Sequence, residues 1–106
     1  MTCFLALFSD KKAESLTTEL LQAHVNHLQS LSNRGVLRCC GPFANNQGAM
    51  QLLECSDRQT AEQLIKADPF IAAGYYKQFQ LQEVIEANAA NEWLLQDPQT
   101  RQNLIQ

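Results

Sequence analysis

The opening octapeptide constrains the fold of this chain more than any other stretch. Read as an extended segment, residues 2–8 place Cys3, Leu5 and Leu7 on one face and Phe4, Ala6 and Phe8 on the other. A strand that is apolar on both faces needs cover above and below. The sheet it joins must therefore have helices on one side and an equally apolar partner on the other. The segment has no basic residues before it, and its apolar run stops at Ser9-Asp10 without a small-residue cleavage site. It reads as a strand and not as a signal peptide.

The remaining elements follow from hydrophobic period and punctuation. Residues 14–33 carry Leu16, Leu20, Leu28 and Leu31 at helical spacing, and Asn33-Arg34-Gly35 supplies a C-terminal stop. Residues 36–43 and 49–55 read as two strands joined by the turn residues 44–48, a hairpin. A second helix starts at Ser56-Asp57, where Ser56 with Gln59 fits a capping box, and its inner row is Ala61, Leu64, Ile65 and Asp68. Pro69 interrupts it, and Phe70 to Ala73 should form a short extra turn. Residues 75–85 alternate as a fourth strand, with Tyr75, Phe79, Leu81 and Ile85 on one face and Tyr76, Gln78, Gln80 and Gln82 on the other.

The order β-α-β-β-α-β predicts an α+β fold, a ferredoxin-like sandwich with both helices on one face of an antiparallel sheet. The second face of such a sheet is bare, and a homodimer with its sheets facing each other covers it most simply. Residues 1–86 make this domain and residues 87–106 a C-terminal helical extension. In the extension, Asp97-Pro98 reads as an N-cap with proline at the first helical position. Leu104 and Ile105 are expected on the same helix. The single tryptophan, Trp93, should dock on its own domain or on the partner subunit.

At 106 residues there is room for one domain. The net charge of −3 and the absence of any basic stripe argue against nucleic acid and anionic lipid as partners. No stretch is long and apolar enough for a membrane span. Cys3, Cys39, Cys40 and Cys55 lack C-x-x-C spacing and each falls in a strand, as buried thiols of a reduced, cytoplasmic protein do.

Two residues break the apolar pattern. His24 lies four after Leu20 and four before Leu28, on the stripe where leucines belong. Asp68 stands three after Ile65, in the inner row of the second helix. A carboxylate beside an imidazole fixes its tautomer and stabilises its protonated form, which suits general acid/base work. The plainer alternative is a buried histidine satisfied by a carboxylate at a helix end. His24 and His27 form an H-x-x-H pair, yet a metal needs a third and usually a fourth ligand and only Asp68 is at hand, so neither metal nor cofactor is expected. Asp10 is a candidate for the mouth of the same pocket, or a carboxylate at the start of the helix. Tyr75 and Tyr76 should face opposite sides, one of them walling the pocket.

Ala23-His24 with Leu28, Gly35-Val36-Leu37, Gly41-Pro42 and Ala67-Asp68-Pro69-Phe70 with Ala73-Gly74 and Tyr76 resemble the YciI-like (YCII-related) family over residues 2–86. The resemblance implies a small dimeric α/β-barrel domain, with the family's active-site histidine and aspartate on His24 and Asp68. It implies a small-molecule enzyme of lyase, isomerase or hydrolase type, and a dehydrochlorinase is among the chemistries such a site supports. The sequence departs from the pattern at Leu21, where many relatives carry arginine, and in the shortness of residues 44–48. The rival expectation is a non-catalytic dimeric module that binds a small ligand or a partner through Trp93 and the tail.

Overall fold

In a computed structural model, which describes residues 1–105, the expected order of elements is present. Strand β1 (Thr2–Lys11) leads through a short 3-10 turn at Ala13–Ser15 into helix α1 (Thr18–Asn33). The hairpin β2 (Leu37–Pro42) and β3 (Ala49–Cys55) follows, then α2 (Arg58–Lys66), the one-turn helix α3 (Pro69–Ala72) and β4 (Tyr76–Val84). The strands form one sheet in the order β2-β3-β1-β4, antiparallel at each of its three pairings. This is the ferredoxin-like arrangement: the first strand is central and the two halves of the chain flank it.

Register separates the two faces. Phe4 pairs with Leu53, Ala6 with Gln51 and with Leu81, and Phe8 with Ala49 and Phe79. Phe4, Ala6, Phe8, Leu53 and Leu81 are buried, together with Leu31 of α1 and Ala61 and Ile65 of α2. The core is therefore the layer between the sheet and its helices. On the opposite face Leu5 pairs with Leu52 and Leu7 with Met50, all four only half-buried, while β4 contributes Gln80 and Gln82.

Several boundaries differ from expectation for local reasons. Helix α1 begins at Thr18 and not at residue 14, because Leu16 is extended and the Thr17 side chain accepts from the Leu20 amide as the cap. Asp57, not Ser56, caps α2, accepting from Thr60. Its carboxylate is the stronger acceptor for an orphan helical amide. Asp68 is not an inner-row residue of α2; Ala67 closes that helix, and Asp68 is the N-cap of α3, with Pro69 at its first position. Cys39 and Cys40 are exposed where buried thiols were expected, since β2 is the edge strand.

After β4 a 3-10 turn at Ala89–Leu94 precedes α4 (Pro98–Gln102), capped by Asp97 as the sequence suggests. The helix stops at Gln102, before Leu104 and Ile105. Trp93 is 67% exposed and does not dock on its own domain. Its backbone is left-handed, as are those of Glu92 and Leu94, which turns the indole outward.

One glycine is required by close approach. A Cβ at buried Gly48 would clash with the Phe8 carbonyl oxygen, where the hairpin crosses the end of β1. Gly48→Ala should lower the unfolding free energy by about 1–3 kcal/mol in urea titrations. Gly41→Ala, where nothing lies within 4 Å of the added carbon, should change it by no more than about 0.5 kcal/mol. Equal effects at the two sites would contradict this packing.

Candidate active site

The two pattern-breaking residues meet. His24 projects from the middle of α1 and its Nδ1 lies 2.8 Å from Oδ1 of Asp68 at the α2–α3 junction. Asp68 is fully buried, and a buried carboxylate is tolerated only if its lone pairs are satisfied. Here the Phe70 amide donates to Oδ1 at 2.9 Å and Gln51 Nε2 donates to Oδ2 at 2.7 Å. Burial pushes the Asp68 carboxyl up. The hydrogen bonds from His24 and Phe70, the attraction of the imidazole and the Gln51 amide together outweigh it, holding the group below the usual carboxylate range.

An ionised carboxylate can only accept, so the shared proton sits on His24 Nδ1, and in the neutral ring Nε2 keeps its lone pair. The ring is clamped from the side as well: Phe70 stacks on it with centroids 3.7 Å apart and planes within 6°. Phe70 in turn contacts Tyr75 and Tyr76, whose rings are 5.0 Å from each other. Both tyrosines thus border the same cavity, contrary to the expectation of opposite sides. Tyr75 precedes β4 in the turn after Gly74, and Asp10 interrupts the pleat of β1 with φ 59° opposite the start of β4.

A cleft of about 340 Å³ opens over this group, between α1, the β2–β3 hairpin and the α3–β4 turn. Its polar floor is His24, Asp68 and Gln51, and its walls include Phe8, Leu21, Val25 and Leu28. Cys40, on the exposed edge strand, is pushed up first by the partial burial of its sulfur against the cleft and then by the neighbouring Cys39 and Asp68, which disfavours its thiolate.

Two candidates fall elsewhere. His27 is turned toward α2, its Nε2 3.2 Å from the Leu64 carbonyl oxygen, and does not line the cleft. Asp10 is exposed and also lies outside the lining. Among the described residues no three His, Cys, Asp or Glu side chains converge as a metal would require. Sequence reasoning missed Gln51 and Phe70. Gln51 left a trace, being the polar residue in the inward row Ala49, Gln51, Leu53, Cys55. Phe70 is visible only once Asp68 is seen as a cap.

Fold and cleft together define a small α+β domain that holds a half-buried imidazole against a buried carboxylate at the floor of an apolar pocket. The chain belongs to the YCII-related domain family, which matches residues 2–85. Among solved structures it is similar to 5-chloro-2-hydroxyhydroquinone dehydrochlorinase (TftG) from Burkholderia phenoliruptrix AC1100, in complex with 2,5-dihydroxybenzoquinone. That likeness has a TM-score of 0.66 at 17% identity, over 85% of this chain and 99% of the other. At that identity the likeness establishes the shared fold. No curated protein matches the chain.

The depressed carboxyl has a consequence for stability. A group whose folded-state value lies below its unfolded value, about 3.9 for aspartate, stabilises the fold above that pH. The contribution is lost as pH falls through the folded-state value. In urea unfolding, wild type should exceed Asp68→Asn in stability near neutrality, with the gap closing below about pH 4. A gap independent of pH would mean that Asp68 is not held ionised.

Proposed function

We propose that this protein is a cofactor-independent acid/base enzyme of lyase, isomerase or hydrolase type acting on small cyclic or aromatic molecules. The observation that carries the proposal is the 2.8 Å contact between His24 Nδ1 and Asp68 at the floor of the cleft. His24 Nε2 takes a proton from a carbon or oxygen of the bound molecule and returns it, or delivers it to the departing group. Asp68 holds the ring in the productive tautomer and stabilises the imidazolium that forms. Gln51 and the Phe70 amide position Asp68. Tyr75 and Tyr76 wall the cleft.

Membership of the YCII-related family supports a small-molecule enzyme, and the ligand-bound dehydrochlorinase of the same fold shows a ring compound held by a relative of this architecture. Elimination of a leaving group from a ring needs a base that removes one proton, which a neutral Nε2 can supply. Turnover of halogenated or hydroxylated ring compounds should fall about 10²- to 10⁴-fold in His24→Ala, with an unchanged circular dichroism spectrum. Full turnover in that variant would remove His24 from the mechanism.

The working unit is a cytoplasmic homodimer joined through the open sheet face. Leu5, Leu7, Met50 and Leu52 form a continuous half-buried apolar strip there, beside the glutamines of β4. Sedimentation equilibrium should give twice the 11.9 kDa chain mass. Leu7→Glu should return it to the single mass while leaving the core intact, and a monomeric wild type would defeat the assembly. A binding module is the second reading, favoured by the exposure of Trp93 beyond the sheet. Loss of residues 87–106 would abolish the function of a module and spare dyad-dependent turnover.

A further inference from the structure

The donors at the floor of the cleft are all engaged. His24 Nδ1, the Phe70 amide and Gln51 Nε2 each point to Asp68. What the floor retains is acceptor character. Gln51 Oε1 is buried without a hydrogen-bond partner, and His24 Nε2 carries a lone pair in the neutral ring. The amide orientation is not arbitrary, because turning it over would set Oε1 against the Asp68 carboxylate.

Charge points the same way. Among the described residues no lysine or arginine lines the cleft, and Asp68 is its fixed anion. Two acids on the wall respond to this setting. The Cys40 thiol is raised by burial, by Cys39 and by Asp68, and the Tyr76 phenol by burial and by Tyr75. In both, the anion is the disfavoured form. The tyrosine hydroxyls and the Asn46 side-chain amide can still donate, but neutral donors compensate poorly for removing an anion from water near a carboxylate.

Size and shape set the remaining limits. About 340 Å³ is at the small end of ligand pockets and suits one substituted ring. The aromatic wall of Phe8, Phe70, Tyr75 and Tyr76 favours a flat one. We infer that the cleft selects an uncharged, single-ring molecule bearing a hydroxyl donor and rejects carboxylates and phosphates of the same size. This rests on the cleft being the ligand site proposed above. It adds a charge rule to it: the donor hydrogen goes to the acceptor floor, and no group is present to neutralise an anion.

Phenol and benzoate test the rule, since they share the ring and differ in charge near neutral pH. Each is titrated into the full chain, with the backbone amide signals of Phe70, Tyr75 and Tyr76 followed by NMR. Phenol should shift these signals and bind at least about tenfold more tightly than benzoate. Leu16→Lys places a cation at an exposed cleft-lining position outside α1, and should narrow that ratio. Benzoate binding as well as phenol, or a ratio unmoved by the lysine, would overturn the charge rule and leave the acid/base proposal standing. If neither compound shifts the three amides, the cleft is not a ring site, and both fall.

Discussion

A buried carboxylate is the interaction on which this architecture turns. Asp68 cannot be taken out of water unless its lone pairs find donors, and it draws them from three places at once: the imidazole of α1, the amide of β3's Gln51 and the first turn of α3. Each donor belongs to a different element. Satisfying the one side chain therefore fixes α1 against α3 and sets both over the middle of the sheet. The α2–α3 break at Pro69 is what makes this geometry available, since a continuous helix would offer Asp68 no free amide two residues on. The proposed chemistry and the fold share this knot.

The same arrangement explains why the cleft is apolar almost everywhere else. The helix-side face of the sheet supplies aromatic and aliphatic side chains, and the donors at its polar floor are tied to Asp68. A pocket of this kind gives an imidazole a dry setting, in which hydrogen bonds and charges act more strongly than in water. The two faces of β1 divide the labour. Phe4, Ala6 and Phe8 build the core and one wall of the cleft, while Leu5 and Leu7 form the strip on the open side.

Much of this was legible in the sequence, because binary pattern carries most of the information. The limits of β3, the order of elements, the position of His24 on the apolar stripe and the Asp97-Pro98 cap all follow from period and capping chemistry. What was not legible depended on choices between neighbours. Leu16 fits a helical row, yet Thr17 is the better cap, so the helix starts after it. Ser56 and Asp57 are both capping residues, and the stronger carboxylate acceptor takes the Thr60 amide. Tyr75 and Tyr76 were assigned to opposite faces by a strict alternation that the left-handed Asp10 and the turn at Gly74 break. His27 shares a side with His24 by spacing, but a carbonyl on α2 captures it. Gln51 was passed over because a single polar residue in a strand has no partner in the sequence; its partner is 17 positions away.

The proposed chemistry requires ionised Asp68 to hold His24 in the tautomer with its proton on Nδ1, freeing Nε2. A long-range ¹H–¹⁵N NMR spectrum of the His24 ring, taken at the high-pH limit where the imidazole is neutral, reads this directly. A protonated Nδ1 and a bare Nε2 are expected in the wild type. A proton on Nε2 in the neutral ring would contradict the proposed chemistry, because Asp68 would then accept nothing from His24 and the nitrogen assigned to proton transfer would be blocked.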